Sequence, residues 1–277
     1  MRAVPILFAL LVAQPALAQT AGHPAGPPGR PVPPRDEGWS VTVGAAFVVS
    51  PVWQGSRDTA LSLFPDLRVR YKDSLFASIP DGVGWNAVNR DGWKAGPIGK
   101  LRFGRNETRG GSPFLIAGGS DALIGLGNIG AAFELGGFVE KRIGAVRGRV
   151  ELRQGFGGHE GVVADLSAGY QQRLGRTIVS IGPRASVASM AFMNTYFGID
   201  AVQSQRSGLV RYATSGGLVS YGVGTSVIHP LNRRSALTLF AGVDRLGEKP
   251  GHSSLVVERG RRMQATAGLG YGFRFGL

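Results

Sequence analysis

The chain has 277 residues, 44 of them glycine and none cysteine, with a formal charge of +13 at pH 7. Its mean hydropathy is +0.04. The missing cysteines exclude a disulfide framework and thiolate metal sites. The basic balance raises nucleic acid as a partner, but the cations are spread through alternating segments rather than gathered on one helix or patch.

Residues 1–18 read as a secretory signal peptide. Arg2 supplies a positive start, Ile6 to Val12 a short apolar core, and Ala16-Leu17-Ala18 a small-x-small cleavage site. Residues 19–37 carry six prolines and almost nothing to bury, which predicts an extended periplasmic linker of up to roughly 60 Å at about 3.1 Å per residue. No later stretch reaches about 18 uninterrupted apolar residues, so no helical membrane span is expected. Export also removes most nucleic-acid partners. The charge is better matched to lipopolysaccharide phosphates or anionic murein.

From residue 38 onward the pattern has period two. Trp39–Ser50 places Trp39, Val41, Val43, Ala45, Phe47 and Val49 on one face. Leu61–Lys72 alternates Leu61, Leu63, Pro65, Leu67, Val69 and Tyr71 with Asp66, Arg68, Arg70 and Lys72 on its second half. A tight turn at 72–74 leads to a strand that begins at Leu75 and is interrupted by Gly82 and Gly84. Gly92–Arg105 sets Trp93, Ala95, Leu101 and Phe103 against Lys94, Lys100 and Arg102. Ile129–Arg142 and the segment after the turn at 143–145 continue the theme, with Glu134, Glu140, Arg147, Arg149, Glu151 and Arg153 on the polar face. Val162–Leu174, Thr177–Ser189, Ala213–His229, Ser235–Leu246 and Met263–Leu277 are the remaining strands. The last alternates without a break over fifteen residues and ends in an aromatic cluster, as a membrane-crossing strand with an interfacial girdle does.

Charges on one side of strand after strand predict a water-filled lumen, since a packed core would not tolerate them. The fold class expected is all-β, a transmembrane antiparallel up-and-down barrel spanning 38–277. Both termini on the periplasmic side require an even strand number. Threading through the short turns at 72–74, 143–145, 174–176 and 230–234 needs one further strand, for which Pro113–Ala117 is the best segment. The expected count is then twelve, with ten or fourteen as alternatives. The connections near 51–60, 119–127, 190–212 and 247–261 become extracellular loops.

Two motifs point to chemistry that the context does not support. Gly125-Leu126-Gly127-Asn128-Ile129-Gly130 spells a dinucleotide fingerprint, but no strand–turn–helix unit surrounds it. His23, His159, His229 and His252 lack metal-ligand spacing, and His252 with Ser253 and Ser254 in one loop is a weak match to a nucleophile and base. No cofactor, metal or catalytic residue is expected.

The segment Asn194-Thr195-Tyr196-Phe197-Gly198-Ile199, followed by Ser207-Gly208-Leu209-Val210-Arg211-Tyr212, resembles the YFGV…SGL..Y signature of the MipA/OmpV family of outer-membrane proteins. Pro51-Val52-Trp53-Gln54-Gly55-Ser56 is similar to that family's PeYeGS loop, Leu63–Tyr71 to its PlP.i.y strand, and Leu246-Gly247 through Val256 to its L…SPiv stretch. Trp53 replaces a tyrosine, Leu255 stands where the proline of SP would be, and Leu277 replaces the terminal phenylalanine usual in outer-membrane strands.

The resemblance implies a bacterial outer-membrane barrel that is not an enzyme, and a monomeric scaffold holding a murein transglycosylase near a murein synthase. Its motif loop centres on Tyr196, Phe197, Gly198, Ser207, Gly208 and Tyr212, read as packed into the barrel mouth. A second reading is a small diffusion channel favouring anions, resting on the inward row Arg68, Arg70, Lys94, Lys100, Arg102, Arg147, Arg149 and Arg153. Against it, Glu134, Glu140, Glu151 and Asp165 are placed to neutralise the arginines and plug the lumen. A third reading, surface adhesion, rests on the long loops.

Overall fold

A computed structural model describes residues 38–276. The expected signal peptide, the Pro-rich linker, His23 and the terminal Leu277 lie outside the described residues. The strands are β1 (Trp39–Pro51), β2 (Thr59–Tyr71), β3 (Leu75–Ser78), β4 (Gly82–Trp85), β5 (Val88–Arg90), β6 (Trp93–Arg102) and β7 (Leu115–Gly118). They continue as β8 (Ala132–Ile143), β9 (Val146–Gly157), β10 (Val162–Leu174), β11 (Thr177–Ala188), β12 (Gly217–Pro230), β13 (Ser235–Leu246) and β14 (Met263–Gly276).

Neighbouring strands pair antiparallel, and β1 pairs with both β14 and β2, so the sheet closes on itself. The ring is a closed 12-strand barrel. Here β4 and β5 act as two parts of one strand against β6, and β7 is a strip on the upper edge of β2. Closure satisfies the backbone within the sheet, which is what lets β-structure stand in a membrane. No helix among the described residues is long and apolar enough to cross a membrane.

The period-two faces fall as the alternation requires. On β1, Val43, Phe47 and Val49 are exposed while Thr42, Ala46, Val48 and Ser50 are buried. On β2 the exposed set is Leu63, Pro65 and Leu67, and the buried set is Ser62, Phe64, Asp66 and Arg68.

The count of twelve holds, but Pro113–Ala117 does not supply the missing strand. The glycine-interrupted stretch after Leu75 is instead a short hairpin, β3 and β4, turning at 79–81. Pro80-Asp81-Gly82 is a strong turn sequence, Gly82 has φ +79°, and Ser78 and Asp81 cross-bond, with Ser78 Oγ to Asp81 Oδ2 at 2.8 Å. Because β3 has four residues, the hairpin stops well short of the barrel's upper rim. Above it β7 pairs with Ala60–Ser62 of β2. No ladder joins β7 to upper β6 among the described residues, and Phe114 fills that seam, its ring 5.2 Å from Phe64 and 5.6 Å from Phe103.

Both described ends lie at the end of the barrel with the short turns, where Ser40 faces Gly276 and Lys72 N–H donates to Gly38 O. By the even-strand rule this is the periplasmic end. The opposite end carries the long loops, which fold inward as a cap. Helices α1 (Met190–Phe197), α2 (Ala201–Ser207), α3 (Glu248–Gly251) and α4 (Ser254–Arg259) belong to it. Asp200 and Gln203 form a reciprocal capping box that starts α2, and Gly208 ends it at φ +77°, a left-handed position suited to glycine.

Candidate functional site

The lumen and its cap are where the structure gathers chemistry. All eight basic side chains of the expected row belong to strands of the wall; three are buried and five are half-buried. Arg68, Arg102 and Arg153 are 2%, 0% and 1% exposed. Around these three arginines the interior is packed with ion pairs rather than open as the one-sided charges predict. The charges are tolerated because they are paired, which is the condition for burying them at all.

The pairs form a continuous belt. Glu134 receives Arg102 Nε, Arg153 Nε at 2.8 Å, and faces His159 Nε2 at 3.0 Å. Arg153 also reaches Glu151 and Asp165. Glu151 accepts from Lys100 at 2.7 Å and Arg149 at 2.8 Å, while Glu140 takes Arg149 at 3.0 Å and Arg147. Toward the periplasm Lys94 bonds Asp73 at 2.5 Å, and Arg68 bonds Asp66 at 2.7 Å. Arg70 is half-buried on the same strand. Further around the wall, Arg184 on β11 pairs with Asp244 on β13.

Apolar layers complete the filling. Phe76, Ile98 and Phe138 form one inward cluster, with the Arg149 guanidinium 4.0 Å from the Phe138 ring centre. Ile178, Ile228 and Ala236 form another, and Ala46, Val48, Phe64 and Phe240 a third.

The motif loop sits over this filling. Tyr196 and Phe197 are 1% and 0% exposed and join Trp53, Leu123, Phe192, Leu209, Leu255 and Val256 in one apolar cluster. Gly198 ends α1, where a β-carbon would lie 2.5 Å from Asn194 O. Ser207 Oγ donates to Gln203 O at 2.6 Å. Tyr212 pairs by backbone with Ile199 and donates its hydroxyl to Lys249 O at 2.7 Å, tying the two long loops together. Trp53 is fully buried, so the residue in the tyrosine position serves the same cap. Beside α1 and α2 a recess of about 1230 Å³ opens between 126–131, 157–158 and 194–213.

The false motifs resolve into packing. Glu107 Oε2 accepts from Gly125 N–H at 3.1 Å and Gly127 N–H at 3.0 Å, so the glycine-rich turn holds a carboxylate of its own chain. Ser253 Oγ donates to Phe197 O at 2.6 Å and Ser254 Oγ to Val210 O at 2.5 Å, leaving neither hydroxyl directed at His252. Among the described residues no group of three or more His, Cys, Asp or Glu could hold a metal ion. Sequence reading missed Arg184, Asp244, Arg105 and His159 as lumen groups. For Arg184 the signal was present: Ser180, Arg184 and Ser186 share the inward face of β11.

A closed barrel with a lipid-facing apolar belt, an interior crossed by ion pairs and a folded-in cap defines an outer-membrane β-barrel protein. A family model described as MltA-interacting protein MipA matches residues 43–275, and the chain belongs to that family. No curated protein sequence matches the chain. Among solved structures it is similar to an outer-membrane channel from Pseudomonas putida F1, at 15% identity over 88% of this chain and 100% of that one, with a TM-score of 0.46. It is also similar to the NanC porin, at 10% identity, 85% and 98% coverage and a TM-score of 0.41. The KdgM porin follows at 7% identity, 85% and 99% coverage and a TM-score of 0.37.

Proposed function

We propose that this protein is a monomeric, non-enzymatic scaffold of the outer membrane that holds murein-processing enzymes, a transglycosylase and a synthase, against its periplasmic end. The observation that carries the reading is the packing of the lumen: the belt around Glu134 and Arg153, with apolar residues below and the cap above, favours interaction over permeation as the use of the barrel. The family description, an interaction with MltA, supports the same reading. A signal peptide cleaved after Ala18 and a Pro-rich tail reaching from the barrel's periplasmic end fit the arrangement.

The periplasmic rim supplies a contact surface. Lys72, Arg90, Arg173, Arg176, Arg233 and Arg234 are all exposed there, a ring of cations suited to acidic protein faces or to anionic murein. Brief crosslinking in cells, detergent extraction and mass spectrometry test this. A murein transglycosylase or synthase recovered with the intact barrel, and lost with R173E/R176E/R233E/R234E or on removal of 19–37, is the expected result. Recovery of lipopolysaccharide and assembly factors alone would overturn it.

A further inference from the structure

Three buried groups at the junction of wall and cap carry donors that nothing among the described residues accepts. Arg102, Tyr196 and Arg105 are 0%, 1% and 3% exposed. Arg102 donates Nε to Glu134 and lies over Phe192, its Cζ 5.1 Å from the ring centre, while both its Nη nitrogens lack an acceptor. Arg105 donates Nη1 to the Tyr196 carbonyl at 2.9 Å, and its Nε has no partner. The Tyr196 hydroxyl is likewise unpartnered.

These groups are linked through shared neighbours. The Tyr196 ring is 4.7 Å from Phe192, on which Arg102 rests, and 5.9 Å from His159. Burial holds the Tyr196 phenol above its ordinary pKa, with Arg102 opposing, Glu134 adding to it and Arg105 opposing again. Burial also pushes the Arg105 guanidinium down to about 10. Glu134, the carboxylate beside them, is already engaged by Arg102, Arg153 and His159. Arg105 has no carboxylate partner among the described residues. With it, six cations (Lys100, Arg102, Arg105, Arg147, Arg149, Arg153) meet four carboxylates (Glu134, Glu140, Glu151, Asp165) in this part of the barrel.

Arginine offers only donors, so such a cluster is completed by acceptors from outside. Unpartnered donors in a low-dielectric interior are costly, and they bind an anion strongly for the same reason. We propose that Arg102, Arg105 and Tyr196 form a buried site for a small oxyanion of the phosphate type. The ligand is a free anion rather than a lipid headgroup, because the cap covers all three groups. Its route is the recess beside α1: Ile129, which lines that recess, is the backbone partner of Arg105 at 2.8 Å in both directions.

The test is titration of the full-length barrel in detergent with inorganic phosphate, against sodium chloride at matched ionic strength. The readouts are the unfolding midpoint and the phosphorus NMR signal of phosphate. Tyr196→Phe removes only the hydroxyl, and Arg105→Lys keeps the charge while removing the Nε donor. A saturable rise in midpoint with phosphate, weakened about tenfold in apparent affinity by each variant, is expected for loss of one charge-assisted bond. If one variant fails to assemble, the other gives the same reading. No phosphate effect beyond chloride, or an effect identical in wild type and both variants, would overturn the site. Stabilisation by lipopolysaccharide micelles without any by inorganic phosphate would also overturn it.

Discussion

Arg184 on β11 and Asp244 on β13 bridge the strand that separates them, with Arg184 Nε 2.8 Å from Asp244 Oδ1. Gly222 of β12 is the cross-strand neighbour of both. A β-carbon there would stand 2.4 Å from Asp244 Oδ1 and 2.1 Å from the Val243 carbonyl. The glycine leaves room for a pair two strands apart. Asp244→Asn should lower stability by about 3–5 kcal/mol, because a buried guanidinium loses its counter-charge. Replacing both, as R184M/D244L, should be close to neutral. Urea unfolding of the folded barrel in vesicles measures both, and equal losses for the single and double variants would contradict the pairing.

The short hairpin makes a second prediction. Gly82 holds φ +79°, and its β-carbon would lie 2.1 Å from Gly99 O, whereas nothing stands within 4 Å of a β-carbon on Gly148. Gly82→Ala should cost more than about 1 kcal/mol, and Gly148→Ala should stay within about 0.5 kcal/mol. Equal midpoints for the two would remove the turn at 79–81 from the account.

Phe114 closes a seam that no backbone ladder closes. Phe114→Ala gives up two aromatic contacts at a half-buried position, about 1–3 kcal/mol in total. Amides of β7 should then exchange faster while those of β12 are unchanged. Uniform exchange across both strands would show that the seam is held by something else.

Ser253 is fully buried and bonds the Phe197 carbonyl. Ser253→Ala should loosen the cap by about 1–3 kcal/mol, the range for a buried group left unsatisfied. Proteolysis within 190–212 should accelerate while the barrel keeps its folded migration on unheated gels. Loss of the barrel itself would mean that the cap and wall form one cooperative unit.

The barrel was legible because the contrast between Val41 and Thr42, or Leu67 and Arg68, is written locally and repeats every second residue. The alternation misled about the interior, since a row of inward arginines looks alike whether it lines water or meets carboxylates from other strands. Glu134, Arg153 and Asp165 belong to β8, β9 and β10, and no local pattern aligns them. The hairpin was missed because four-residue strands are too short for periodicity, although Pro80-Asp81-Gly82 announced its turn. The cap read as loop, yet Asp200 and Gln203 at capping-box spacing marked the start of α2. Arg105 fell at the end of an expected strand, and only the approach of α1 makes it part of a cluster.

The claim on which the account rests is that the lumen is filled. Purified barrel inserted into a planar bilayer measures this most directly. The account predicts insertion without steady conductance in either polarity. A reproducible open state, above all one selective for anions, would contradict it and return the basic row to the role of a permeation path.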